Sequence, residues 1–187
     1  MSVGAFEAEP ERLTDDGWDQ LVLYDHGDWN QQLCSSLALN ACTALLELQR
    51  TPSSVDQQSY IDISERGQVK FSLLRPGASI LPHTGTTNAR LRLHLGLQVP
   101  VSVSEAGKHQ QFWIKAADEA PRGWADGQVL ILDDSFEHSL FSSPSATSET
   151  NETCEDASEE NLAVSSRLIL IIDMDHPDLD RIERNGA

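Results

Sequence analysis

The 187-residue chain has few basic residues, few cysteines and no long apolar run, and each shortage excludes something. Thirteen Lys and Arg stand against 30 Asp and Glu, a formal charge of -17 and a pI near 4.5. Nucleic acids and anionic membranes are held by basic footprints, so neither is an expected partner. No apolar stretch reaches the about 18 residues that a spanning helix needs, so direct membrane insertion is not expected either. The three cysteines, Cys34, Cys42 and Cys154, are too few for a disulfide scaffold and are not spaced as a zinc knuckle. The first ten residues lack a basic segment followed by an apolar one. No secretory signal is visible there, and the expected compartment is cytoplasmic.

The remaining composition, 39% apolar and 23% charged, is that of a globular chain with room for one domain and a sizeable core. Residues 1–17 read as a loose acidic lead-in. Residues 18–66 read as an N-terminal support, with a strand-like run at Leu21, Val22, Leu23 and Tyr24 that a turn over 25–28 ends. Leu37, Ala41, Ala44, Leu45 and Leu48 fall at helical spacing, predicting a helix over 37–49 with Asn40 as a candidate cap. Residues 51–66 are polar and read as loop. From residue 67 the pattern changes to short strands between Gly, Pro and Asn, predicted at 68–74, 79–82, 89–99, 111–114, 128–133 and 167–173. Many short strands with almost no helix predict a mainly β fold, a jelly roll over 67–179. Segment 139–166 carries six acids and no base, and reads as a flexible insertion with Cys154 as an exposed thiol.

One strand pattern bears on chemistry. In Arg90-Leu91-Arg92-Leu93-His94-Leu95-Gly96-Leu97, period two puts the leucines on one face and Arg90, Arg92 and His94 on the other. The leucine face predicts a core. The basic face is either solvated or, in a jelly roll, turned into the barrel mouth, where it would need anionic partners. Arg167 opens a nearly continuous apolar run, Leu168 to Ile172, which predicts a strand buried on both faces. A guanidinium there can pair bidentately with a carboxylate.

Two histidines end apolar strands. His83 lies in Pro82-His83-Thr84-Gly85, and His138 closes Asp133-Asp134-Ser135-Phe136-Glu137-His138. Two imidazoles converging from separate strand ends can hold one metal ion, and imidazole suits Fe(II). The common non-haem iron site adds an acid two residues after the first histidine, but that position is Gly85. His26, His109 and His176 sit in polar or turn surroundings and read as surface residues.

These residues resemble the aspartyl/asparaginyl β-hydroxylase family. The likeness runs through Gln68-Val69-Lys70-Phe71-Ser72, Arg75-Pro76-Gly77, Pro82-His83-Thr84-Gly85 and Thr87-Asn88-Ala89 into the strand at 90–97. It continues through the Asp133 to His138 run, Arg167-Leu168-Ile169, Asp173 and His176-Pro177-Asp178-Leu179. The resemblance implies a double-stranded β-helix (cupin-like) enzyme that uses Fe(II), 2-oxoglutarate and dioxygen. It implies His83 and His138 as metal ligands, with a glycine in place of the acid. It implies Arg167 and Ser72 on the distal carboxylate of 2-oxoglutarate, and His94 and Arg92 near its metal-chelating end. Arg90 and Arg92 would hold an acidic peptide, protein or small-molecule substrate, whose β-carbon is hydroxylated with release of succinate and carbon dioxide. Cys34 and Cys42 lie near a family disulfide, although a cytosolic chain would keep them reduced; an excised domain of a lumenal enzyme would belong to the ER lumen. A halogenase, a lipid or small-molecule hydroxylase and a binding module without turnover are the alternatives.

Overall fold

The computed structural model describes residues 7–8, 17–50, 61–104, 107–143 and 165–178. The strands are β1 (Glu7–Ala8), β2 (Trp18–Asp25), β3 (Asp28–Trp29), β4 (Gln68–Leu74), β5 (Ser79–His83), β6 (Arg90–Gln98) and β7 (Val101–Ser104). They continue with β8 (Gly107–Gln110), β9 (Phe112–Ala116), β10 (Arg122–Gly123), β11 (Val129–Leu132), β12 (His138–Ser142) and β13 (Arg167–Asp175). Two helices, α1 (Gln31–Ser36) and α2 (Leu39–Arg50), precede β4. One antiparallel sheet has the order β1-β2-β4-β13-β6-β11 with β3 on β2; a second has the order β10-β9-β12-β5. From β4 to β13 the chain alternates between the two sheets, apart from the hairpin β7–β8 and the consecutive pair β9–β10 within the smaller sheet, and this is the expected jelly roll. No helix among the described residues is long and apolar enough to cross a membrane.

Strand alternation builds the core. Ile169 and Ile171 of β13 join Leu74 of β4, Ile80 of β5, Phe112 and Ile114 of β9 and Leu140 of β12 in one buried cluster between the sheets. Leu170 and Ile172, pointing the other way, pack with Val69, Tyr24 and Leu45 of α2. The apolar run in β13 is therefore buried on both faces, as its sequence predicts.

The leucines of β6 behave differently from expectation. Leu93 and Leu95 are only half-buried against the α2 side, and Leu97 is exposed, whereas His94 and Gly96 on the opposite face are buried. The basic face is the inner one. Gly96 fits there because a Cβ would lie 2.2 Å from the carbonyl oxygen of Ala125. The 124–128 loop is tied to it by Gly96 N–H on Gln128 O at 3.0 Å and Gly127 N–H on Gly96 O at 2.8 Å.

Several boundaries are corrected. The helical segment is two helices: Asn30 caps α1 by accepting from Leu33 N–H at 3.0 Å, while Asn40 lies inside α2. The polar makeup of α1 hides it from an apolar-periodicity reading. The strand β12 starts the segment read as an insertion, because its cross-strand partners in β5 and β9 outweigh its serine content. Ile63, within the predicted loop, bridges Met174. The predicted features at 51–60 and 144–164, Cys154 included, lie outside the described residues.

Cys34 and Cys42, whose pairing the sequence leaves open, are bridged across the elbow between α1 and α2. Both sulfur-bearing residues are buried with Leu21, Leu23 and Ala38, so the bond pins the helices onto β2. Reduction, or replacement of both cysteines by serine, is expected to cost about 2–3 kcal/mol. Denaturant midpoints measured with and without reductant check this.

Candidate active site

Two strands of the smaller sheet bring the paired histidines together. In the β5–β12 ladder His138 stands directly opposite His83, and the ring centroids are 4.2 Å apart. Backbone hydrogen bonds settle how each ring is presented. His83 Nδ1 lies 2.8 Å from Leu81 O and His138 Nδ1 lies 3.0 Å from Phe136 O. A carbonyl oxygen only accepts, so both Nδ1 atoms carry the proton and each neutral ring keeps its Nε2 lone pair free. Burial, above all, holds the His138 pKa below its ordinary value, with the neighbouring His83 acting in the same direction. Among the described residues no group of three or more His, Cys, Asp or Glu is placed to hold a metal; what the two strands bring together is an imidazole pair.

The absent third ligand has a structural counterpart. A Cβ on Gly85 would lie 2.5 Å from the Asp134 Cγ and Oδ2 atoms. Asp134, fully buried, thus fills the space of a side chain at 85. Its Oδ1 has no protein partner. Its Oδ2 meets Arg90 Nη2 at 3.2 Å and Arg92 Nη1 at 3.3 Å.

A second buried acid completes this network. Asp173 accepts from Arg92 Nε at 2.8 Å and from the Gln68 N–H at 3.0 Å, and lies 3.3 Å from Arg90 Nη1. Burial alone would raise its pKa; the hydrogen bond and charge of Arg92, then Arg90 and Gln68, hold it below the ordinary value. Two guanidiniums and two carboxylates balance here. The balance does not extend to Arg167, which is fully buried and has no carboxylate within ion-pair distance among the described residues. Its Nη2 donates to Ser72 Oγ at 3.0 Å, its Nε and Nη1 have no partner, and burial pushes its pKa down to about 9. It is still a cation at neutral pH.

One cavity unites these groups. It is lined by His83, His138, Arg92, His94, Ser72 and Arg167, together with Lys70, Trp18 and apolar residues of both sheets. A family model described as aspartyl/asparaginyl beta-hydroxylase matches residues 2–148. The chain belongs to that β-hydroxylase family. It is 37% identical over 184 residues to the aspartyl/asparaginyl beta-hydroxylase of Homo sapiens, covering 98% of this chain and 19% of that protein. It is 30% identical over 170 residues to aspartate beta-hydroxylase domain-containing protein 1 of Mus musculus, covering 91% of this chain and 37% of that protein. The chain thus spans about a fifth of the human relative. A cupin-like protein from Thermotoga maritima aligns over 95% of this chain and 82% of its own at 9% identity, with a TM-score of 0.45. That likeness is loose, and the architecture rests on the strand order itself.

In this β-hydroxylase family member six of the seven site residues expected from sequence line the cavity. Arg90 does not: its guanidinium lies between Asp134 and Asp173, behind Arg92. His26 and His109 are exposed, whereas His176 is half-buried. The sequence reading missed Lys70, Asp134, Asp173, Trp18 and Trp124. Lys70 had a signal, since period two places it on the face of Ser72. The two acids stand among the residues that resemble the family, but nothing local marked their role, because their arginine partners are remote in sequence.

The acid–guanidinium network generates a stability prediction. Asp173→Asn leaves Arg92 short of a buried counter-charge and is expected to cost about 3–5 kcal/mol at neutral pH. The folded pKa of Asp173 is depressed, so its contribution is complete above the ordinary value of 3.8 and fades as pH falls through the lower folded value. The stability gap between wild type and Asp173→Asn, followed by urea denaturation from pH 7 downward, is expected to narrow only below about pH 4.

Proposed function

We propose that this chain is an Fe(II)- and 2-oxoglutarate-dependent dioxygenase that hydroxylates the β-carbon of an aspartyl or asparaginyl residue, or of a related acidic substrate. The observation that carries the reading is the juxtaposition of two imidazoles with free Nε2 lone pairs and a buried, carboxylate-free guanidinium in one cavity. Family membership supports hydroxylation as the reaction.

His83 and His138 are the only uncommitted nitrogen lone pairs that the described cavity residues offer a metal, and neutral imidazole is a ligand type that Fe(II) accepts. Bound iron would activate dioxygen as 2-oxoglutarate loses carbon dioxide and becomes succinate. Arg167 and Ser72 would anchor the distal carboxylate of the 2-oxo acid, because a dehydrated guanidinium gains most from a bidentate anion. His94 and Arg92 would orient its other end. Arg92 and Lys70, on the same lining, would hold the acidic group of the substrate and so turn one C–H toward the metal. Ile80, Leu140, Ile169 and Ile171 keep the walls apolar and limit water. Arg90 would act through Arg92, by sharing Asp134 and Asp173 with it.

The halogenase alternative loses support because Asp134 occupies the room beside Gly85 that a halide would need. The Cys34–Cys42 bond favours an oxidising compartment such as the ER lumen over the cytoplasm.

Replacing His83 or His138 by alanine is expected to abolish iron-dependent succinate formation, followed by coupled assay or mass spectrometry; full activity in either variant would remove the metal assignment. Arg167→Ala removes the charged anchor, a change worth about 2–5 kcal/mol, or roughly a 30-fold or greater rise in the 2-oxoglutarate concentration required. Titration of succinate formation against 2-oxoglutarate measures it, and an unchanged requirement would place the anchor elsewhere.

A further inference from the structure

Two tryptophans touch the polar lining of the cavity through their indole N–H groups, and an indole N–H can only donate. Trp18 Nε1 donates to Ser72 Oγ at 2.9 Å. Arg167 Nη2, which also only donates, reaches the same oxygen at 3.0 Å. A hydroxyl oxygen has two lone pairs, and both are now taken. Among the described residues the Ser72 hydrogen finds no acceptor. It is left to point into the cavity that Ser72 lines.

The same logic applies at His94. Trp124 Nε1 donates to His94 Nδ1 at 3.3 Å, so that nitrogen bears a lone pair and the neutral ring carries its hydrogen on Nε2. His94 Nε2 is buried without a partner. This tautomer is the opposite of the one that Leu81 O and Phe136 O impose on His83 and His138. Trp124 also lies nearly parallel to His94, at 21° with centroids 6.0 Å apart, and the Arg167 guanidinium sits 4.6 Å from its ring centroid. One buried indole thus holds the two groups at once.

We propose that Trp18 and Trp124 are positioning residues that set the hydrogen-bond polarity of the cavity. By filling the acceptor sites of Ser72 and His94 they make both side chains inward donors, and at Ser72, beside Arg167, this favours a fully ionised carboxylate over its amide. The proposal rests on the 2-oxo acid reading for its ligand. The tautomer of His94 does not depend on that reading.

The test has two arms. In the first, nitrogen-15 NMR of the histidine rings in the intact wild-type protein at neutral pH reads the His94 tautomer directly. Hydrogen on Nε2 is expected, with a mixed population in Trp124→Phe, which keeps an aromatic ring but loses the N–H. Hydrogen on Nδ1 in the wild type, or an unchanged ring in the variant, overturns the Trp124 role. In the second arm, calorimetry with Zn(II) present compares 2-oxoglutarate with its 5-amide. Trp18→Phe frees a Ser72 lone pair for an amide N–H, and the preference for the dicarboxylate is expected to shrink about tenfold. An unchanged preference overturns the Trp18 role. Binding of neither ligand by the wild type defeats the 2-oxo acid reading and with it the carboxylate selectivity, and the tautomer spectra then decide the Trp124 role alone. The wild-type spectrum decides that role even if a variant fails to fold.

Discussion

A guanidinium sealed inside a β-barrel, with no carboxylate against it among the described residues, is the constraint around which the cavity is organised. Dehydrating a cation is costly, and proteins usually offset the cost with a nearby anion. At Arg167 the offsets are weak: one serine oxygen and the face of one indole. The neighbouring arginines show the contrast, since Arg90 and Arg92 share Asp134 and Asp173. A site that neutralises two of its arginines and leaves the third unmatched is built to be completed by something negative from outside. The charge that folding left unbalanced would then be a main source of ligand affinity.

Backbone carbonyls and indoles divide the histidines of this cavity into two kinds. The carbonyls of Leu81 in β5 and of Phe136 just before β12 accept from Nδ1 of His83 and His138, which fixes the hydrogen there and leaves the lone pair of each ring at Nε2. An indole at His94 does the reverse. Three imidazoles around one cavity thereby acquire different chemical duties with no difference in side-chain type. The division lies in secondary-structure geometry and loop placement, so a histidine count cannot reveal it.

That explains what was legible beforehand. The period-two face of Arg92 and His94 and the strand-end positions of His83 and His138 are local patterns, and the sheet preserves them. The jelly roll was legible for the same reason: strand periodicity and turn residues are written in contiguous sequence. Misreadings arose where tertiary packing overrode local pattern. The leucines of β6 meet the expected core only in part, Leu93 and Leu95 packing on the α2 side, and the more deeply buried face is the one carrying charge. The helix α1 is too polar to announce itself, and its cap on Asn30 and bridge at Cys34 do the work that an apolar stripe would do. The roles of Asp134, Asp173 and Trp124 were invisible because each residue matters through a partner brought close only by folding.

Gly96 carries a consequence of its own. With the Ala125 carbonyl pressed against it, the 124–128 loop is seated on β6, and Trp124 reaches His94 from that seat. A methyl group at 96 would lift the loop and with it the indole. Position 96 lies outside the cavity lining, but it and position 124 form one structural unit. A lineage that gave up the glycine would lose its hold on the imidazole two residues earlier, and homologue surveys limited to ligand-contacting residues would overlook the cause.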